Sequence, residues 1–326
     1  MKALIFDKPN QPIVTDIQTP SISDNEVLVR SRRVGICHSD YELLAGKYII
    51  PISYPVTPGH EWVGEVVEVG RNVKGLQRGD RVVGECVIRT PERIHHFGFS
   101  MDGANREYFA ARPEWLHKLP DGVDDAKGAL IEPFTCGYYA VLRHGGVDAS
   151  QTVVVSGGGT IGLVSAAAAI GMGAKVIVVD PVPLRREIAM KLGAVGTVDP
   201  TDGNPVEAVT EMTKGGADLV VEAAGHPSSL ANVFDYARPE GFVSMVGISI
   251  GQKIPVELGK IQIKDLTVRG CIGSPGVWPA AIRFLERTGI DLSPIQTHSF
   301  ALDDAIKAYE LGKDPTKAVK ITLEIA

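Results

Sequence analysis

The stretch VVVSGGGTIG, Val153 to Gly162, decides the fold. A run of valines reaches Gly157, Gly159 and Gly162 in the spacing GxGxxG, and Thr160 and Ile161 open an alanine-rich segment. The run reads as a strand, a tight turn and a helix start. Glycine lets the backbone turn sharply and approach a pyrophosphate, which then sits on the free N–H groups of the helix N-terminus. The next β-branched run, VIVVD, ends on Asp180, about 20 residues further on, where a carboxylate can accept hydrogen bonds from the adenosine ribose hydroxyls. A carboxylate there repels a 2′-phosphate, which favours NAD over NADP; Arg185 and Arg186 are the neighbours that could bind such a phosphate. A methyltransferase also uses a glycine-rich first turn and an acidic second-strand end, so the rest of the chain must discriminate.

Outward from this loop, strand-like and helix-like segments alternate from about Thr152: VVVSGGG, an Ala-rich helix, KVIVVD, RREIAMKLGA, ADLVVEAAG, LANVFDYA and GFVSMVG. That rhythm predicts an α/β doubly wound parallel sheet, the Rossmann arrangement. Before it, short apolar runs such as KALIF, EVLVRSRRVGI, WVGEVVEVG and DRVVGECVI are separated by Gly, Pro and Asp, the signature of a compact β-domain. After about Gly273 the alternation stops. FALDDAIKAYELG places Leu302, Ile306 and Tyr309 on one helical face and VKITLEI supplies a last strand. The expected organisation is therefore residues 1–133 plus 275–326 as one domain, with a dinucleotide-binding domain, 134–274, inserted into it.

The bulk properties narrow the function. With 326 residues, 44% of them hydrophobic, and a net charge of -6 without any basic run, the chain suits two soluble globular domains and has no electrostatic footprint for nucleic acid. The uncharged run Gln151–Ala174 has the length of a membrane span, but its glycine cluster and the following VIVVD read as a buried strand–turn–helix–strand unit. Cys37, Cys86, Cys136 and Cys271 are too far apart for a compact disulfide framework, and MKALIFDKPN lacks the apolar length of a signal peptide. A cytoplasmic location is expected.

Three further stretches carry chemistry: GICHSD (35–40), PGHEW (58–62) and IEPFTCG (131–137). Neighbouring side chains point different ways, so Cys37, His38, Ser39 and Asp40 cannot all serve one centre, and partners must come from elsewhere. The order GICHSD, PGHEWVGEVVEVG, GDRVVGE, IEP and GGGTIG with a terminal Asp resembles the zinc-dependent medium-chain dehydrogenase/reductase family, closest to its polyol and threonine dehydrogenase branch, over essentially the whole chain. The resemblance implies a GroES-like β-domain with a catalytic zinc and a Rossmann domain with the nicotinamide coenzyme. By position it makes Cys37 and His60 zinc ligands and Glu132 the third, with Glu61 a carboxylate beside the metal that can exchange with Glu132 or water. Three protein ligands leave a fourth position open for substrate.

The resemblance also assigns the proton path. Ser39 matches the hydroxyl that bonds the substrate oxygen, Asp40 the carboxylate that orients the ligand histidine, and Glu42 stands where many members end the relay with a histidine. It further implies coenzyme contacts from His38 and Lys320 to the pyrophosphate, and from Cys136, Val246, Gly247, Ile248, Cys271 and Ile272 around the nicotinamide. The family's second, structural zinc needs four closely spaced cysteines. Here only Cys86 precedes IRTPERIHHFGFS, so one zinc per chain is expected.

The resulting expectation is an NAD-dependent zinc oxidoreductase acting on the secondary hydroxyl of a polyol, sugar acid or similar small molecule, with no nucleic-acid or membrane partner, assembled as a homo-oligomer, a dimer or tetramer. The alternatives are a zinc-free quinone or enone reductase of the same superfamily, and a catalytically idle cofactor-binding structural protein.

Overall fold

The computed structural model describes residues 1–47, 52–90, 93–142, 146–247 and 253–325; Ile248 lies outside them. The chain divides into two compact units, Met1–Glu132 with Gln296–Ala326, and Pro133–Ile295.

The first unit is a β-domain organised around the strand Val27–Ile36, whose sequence VLVRSRRVGI buries most of its apolar residues. In the main sheet the order is Gln296–Ala301, Lys320–Glu324, Val27–Ile36, Glu61–Val69, Arg81–Gly84 and Leu116–Lys118, with Tyr108–Ala111 also pairing to Val27–Ile36. The ladder between Val27–Ile36 and Glu61–Val69 shifts register at Leu28/Val29 and Ser31/Arg33, and Tyr108–Ala111 pairs with the first part of the same strand. The core is aromatic where the sheet curls. Trp62 meets Phe109 edge-on with ring centroids 4.8 Å apart, and Phe97 lies 5.4 Å from Phe109. Where the four-cysteine lobe would stand, Val87–Arg89 pairs with Ile94–His96 and the Phe97 N–H donates to the Cys86 carbonyl at 2.9 Å. Phe97 and Phe99 bury themselves behind this short hairpin.

The tail corrects one sequence reading. The helix spans Ala305–Gly312 and buries Ala305, Ala308 and Tyr309, whereas Ile306 is 41% exposed. Leu302 belongs to a preceding 3-10 turn, Leu302–Asp304, so it does not share a helical face with Ile306.

The second unit is a six-stranded, all-parallel sheet in the order Gly196–Val198, Lys175–Val179, Thr152–Ser156, Ala217–Glu222, Ala237–Met245 and Thr267–Gly270. The order reverses between Thr152–Ser156 and Ala217–Glu222, and in such sheets ligands bind outside the carboxyl ends of the strands at this point. Residues 275–295 go with this unit, which differs from a return at 275. The α/β rhythm does stop, but the helix Trp278–Thr288 has an apolar face to cover, and Phe284 packs 5.2 Å from Tyr138 and 6.2 Å from Phe134. The uncharged run resolves into the strand Thr152–Ser156, a turn and the helix Thr160–Gly171. No helix among the described residues is long and apolar enough to cross a membrane.

The glycine loop has no spare room. Gly157 has φ +104°, and a Cβ at Gly162 would come 1.7 Å from the Gly157 carbonyl oxygen. Gly162→Ala should therefore force the turn open, lowering stability by about 1–3 kcal/mol and weakening coenzyme binding; thermal melts and NADH fluorescence titration check both.

Candidate functional site

Strand register gathers the metal-ligating groups of the first unit. Gly35 pairs with Glu61 on one side of the central strand, and Ile36 pairs with Ile321 on the other. The strand then runs directly into Cys37, which caps the helix His38–Ala45. One donor atom from each of Cys37, His60 and Glu61 lies within 4.8 Å of the other two, and no other such group occurs among the described residues. Zinc bonds of about 2.0–2.3 Å set neighbouring tetrahedral donors roughly 3.5 Å apart, so a small inward shift would close this cluster on an ion. The donor set fits zinc: a thiolate, an imidazole and a carboxylate, with charge to neutralise a divalent cation. Glycine leaves this carboxylate its place, because a Cβ on Gly35 would sit 2.3 Å from Glu61 Oε2 and displace it.

His60 is delivered by the loop Thr57–Gly59, held by N–H bonds from Gly103, Ala104 and Asn105 to its carbonyls at 2.7, 2.8 and 3.1 Å. Gly59, with φ +100°, makes the turn. Phe99 lies 4.7 Å from the His60 ring. Asp40 reaches His60 Nδ1 with Oδ1 at 3.5 Å, while its Oδ2 accepts the Cys37 N–H at 2.9 Å. The carboxylate thus stands between the helix start and the histidine, and leaves Nε2 as the nitrogen that could ligate a metal. Burial alone would depress the His60 pKa; Asp40, with Cys86 and Cys37, instead raises it well above the usual imidazole value.

Lys320 requires a correction. Expected at the coenzyme pyrophosphate, it is buried, with its ammonium 2.5 Å from Glu61 Oε2 and 2.9 Å from the Ile36 carbonyl oxygen. Burial opposes its charge, but Glu61 and the other acidic groups outweigh that and raise its pKa. The strand pairing that gathers the ligands puts it there. Glu132 opens the helix Ile131–Leu142 and lies outside the three-donor cluster. Burial pushes its carboxyl up to about 7, with Glu61 and Asp40 adding to the shift and His60 and Lys320 opposing it. Cys86 is a neutral thiol here, pushed up to about 12 chiefly by burial.

The proposed relay residues occupy one short helix. Asp40 is buried, Ser39 half-buried, and His38 and Glu42 are exposed, so adjacent residues separate as their directions require. Ser39 and Glu42, three apart, share a helical face.

In the second unit the helix Thr160–Gly171 starts at Gly159 with no side-chain cap from that residue, and a helix N-terminus is where backbone N–H groups can receive an anion. Asp180 is buried: Oδ2 accepts the Gly158 N–H at 2.7 Å, Oδ1 the Val182 N–H at 2.8 Å, and Arg185 Nη1 stands 3.3 Å from Oδ2. Arg186 turns away to the Asp180 carbonyl at 2.7 Å and to Asp199 at 2.9 Å. Val246 and Gly247 donate their N–H groups to the Glu222 carbonyl at 2.8 and 2.9 Å, Ile161 and Cys136 are half-buried, Cys271 is buried, and Ile272 is exposed. Sequence reading missed Glu222, whose buried carboxylate accepts from the Ala224 and Gly225 N–H groups at 3.1 and 3.0 Å and from Ser229 Oγ at 2.7 Å, fixing the loop opposite Gly157. An acidic residue ending the apolar run ADLVVE was the available signal.

Comparison with known proteins places these features together. Residues 23–121 match the alcohol dehydrogenase GroES-like domain and residues 160–287 the zinc-binding dehydrogenase domain. The chain is 32% identical over 324 residues to a sorbitol dehydrogenase of Halalkalibacterium halodurans, covering 93% of each. It is 32% identical over 332 residues to an L-threonine 3-dehydrogenase of Alteromonas mediterranea, covering 95% of this chain and 96% of that one. Among solved structures, 2R,3R-butanediol dehydrogenase from Bacillus subtilis superposes with a TM-score of 0.91 at 30% identity, covering 99% of both chains.

If Glu61 needs the space that Gly35 leaves, Gly35→Ala should lower zinc affinity roughly tenfold or more while the protein still melts cooperatively; chelator competition and calorimetry read the two effects separately.

Proposed function

Because the chain belongs to the zinc-dependent medium-chain dehydrogenase family, in its polyol and threonine dehydrogenase branch, we propose that it oxidises a secondary hydroxyl of a small polyol, sugar acid or hydroxy amino acid with NAD, reversibly. The observation that carries this reading is the gathering of Cys37, His60 and Glu61 within 4.8 Å on a domain of this family. A zinc-free reductase has no use for such a set, and an idle structural protein has no need to keep it.

Cys37, His60 and Glu61 would hold the zinc, with Glu132 the carboxylate that can replace Glu61 in that role. Bound there, zinc supplies Lewis acidity that lowers the pKa of a substrate hydroxyl near neutral pH. The remaining tasks fall to the chain itself. Asp40 holds the His60 ring in the orientation that presents Nε2. Ser39 accepts the hydroxyl proton and passes it toward solvent, and exposed Glu42 on the same helical face is its outlet. Lys320 compensates the charge of Glu61 through one carboxylate oxygen; a carboxylate has capacity left on the other. Gly157, Gly159, Ile161 and Gly162 seat the pyrophosphate, the role the family resemblance also gives His38. Cys136, Val246, Gly247 and Ile272 border the nicotinamide, and Asp180 with Arg185 receives the adenosine ribose.

We further infer a homo-oligomer in the cytoplasm. The outer strand Thr267–Gly270 is exposed along its length, with Val268, Ile272, Ile263 and Leu258 exposed nearby, an edge that a second copy can cover. All four cysteines are free thiols, as suits a reducing compartment. A single-chain mass by light scattering would overturn the oligomer.

Two measurements test the main reading. Purified protein should contain close to one zinc per chain, and polyols, sugar acids or β-hydroxy amino acids should drive NADH formation that Cys37→Ser abolishes. Protein that binds no zinc, or a Cys37→Ser variant as active as wild type, would sink it. Asp180→Gly should weaken NAD binding more than NADP binding, since it removes both the ribose acceptor and the charge that repels a phosphate; an unchanged ratio of the two dissociation constants refutes that role.

A further inference from the structure

Behind the His60–Asp40 pair the first unit encloses polar groups that an apolar core does not call for. Asn105 and Asp40 are fully buried and Tyr309 is 1% exposed. Both amide atoms of Asn105, the hydroxyls of Tyr309 and Tyr41, and Asp40 Oδ1 are buried without a hydrogen-bond partner in good geometry. The residues that carry these atoms come from three separate places in the chain. The helix His38–Ala45 carries Asp40 and Tyr41, the segment before the strand Tyr108–Ala111 carries Asn105, and the helix Ala305–Gly312 carries Tyr309.

The contacts between them are specific. The rings of Tyr41 and Tyr309 lie 5.4 Å apart, and Phe6 holds Tyr309 edge-on at 5.6 Å. Asn105 lies against the residue that precedes the ligand histidine: its N–H donates to the Pro58 carbonyl at 3.1 Å, and a Cβ on Gly59 would come 2.9 Å from its Cγ. The Tyr309 hydroxyl senses both neighbours. Burial and then the Asp40 charge raise its pKa well above the usual phenol value, while the Asn105 amide pulls it down. Unpaired buried polar groups are costly, so the Tyr309 phenol and the Asn105 Nδ2 each call for an acceptor, and Asp40, whose charge the phenol senses, has an unpaired oxygen to offer. That oxygen stands 3.5 Å from His60 Nδ1, beyond a normal hydrogen bond, and has acceptor capacity left.

We propose that Tyr309 and Asn105 are positioning residues for the metal centre: the phenol and amide form a buried hydrogen-bond network onto Asp40 Oδ1, directly or through one enclosed water, and so fix the carboxylate that orients His60. The proposal rests on zinc being held by Cys37 and His60. Through Oδ2 Asp40 is anchored to the Cys37 N–H, while Oδ1 has only the longer approach to His60 among the described residues. A second anchor confines the carboxylate to one rotamer and reduces the ordering that metal binding must impose on the His60 ring. Direct outer partners of a metal ligand change metal affinity about 10–100-fold. Tyr309 acts one link further out, so a smaller effect is expected.

Tyr309→Phe separates positioning from packing, because it keeps the ring and its contacts with Phe6 and Tyr41 and removes only the oxygen. Zinc affinity by chelator competition should fall roughly 3–10-fold, below the range for direct partners, and the visible spectrum of the cobalt-substituted protein should shift. In an Asp40→Ala background the same substitution should change neither, since the network then has no oxygen to hold. Asn105→Leu should reproduce the loss, and if that variant does not fold, the Tyr309 and Asp40 pair decides alone. Unchanged zinc affinity and cobalt spectrum in Tyr309→Phe, whatever its melting temperature, overturns the proposal. Wild-type protein that holds no zinc overturns both this proposal and the functional reading, whereas a zinc-loaded wild type with an indifferent Tyr309→Phe overturns the positioning role only.

Discussion

Everything in the candidate metal centre depends on the register of one strand. Val27–Ile36 is paired on one side so that Gly35 faces Glu61, and on the other so that Ile36 faces Ile321. A slip of one residue in either ladder would turn the facing side chains to the opposite surface. With the register as it is, a cysteine from the end of the strand, a histidine and glutamate from the start of the next, and a lysine from the C-terminal strand meet in one buried place. The absence of a side chain at Gly35 is part of the same constraint, since Glu61 occupies that volume.

Charge sets the second level of organisation. A thiolate and a carboxylate suit a divalent cation, but Asp40 and Glu132 add further negative charge in the same unit, and burial makes each of these charges costly. The structure offsets the excess in different ways for different groups. Lys320 pairs with Glu61, Asp40 leans on His60 and on a backbone N–H, and Glu132 is pushed toward its neutral form by burial and its acidic neighbours. Cys86, close by but buried, keeps its proton. Carboxylates of one residue type thus acquire different properties from their surroundings alone.

The coenzyme unit follows a separate logic, in which backbone geometry does most of the recognition. Gly157 and Gly162 permit a turn that no Cβ could enter, and the helix Thr160–Gly171 starts directly after it without a side-chain cap. Buried carboxylates then brace the loops on both sides of the crevice, Asp180 through the Gly158 and Val182 N–H groups and Glu222 through those of Ala224 and Gly225. Short hydrogen-bonded loops of this kind hold a shape in advance of the ligand, which reduces the ordering cost of binding.

The sequence by itself determined both fold classes, because valine runs, glycine spacing and the α/β rhythm are local signals that survive without tertiary information. It also determined which chemistry was present: Cys37, His60 and two candidate glutamates, a glycine loop and Asp180. What only the tertiary structure decided were the partners of groups far apart in the chain. VKITLEI alternates polar and apolar residues, so nothing local reveals that Lys320 is buried against Glu61; that follows from pairing across hundreds of residues. The choice of Glu61 over Glu132 for the three-donor cluster, the exposure of Ile306, and the allegiance of the helix Trp278–Thr288 to the coenzyme unit were likewise invisible. Each depends on which surface a side chain meets after the chain has folded, and no local periodicity encodes that.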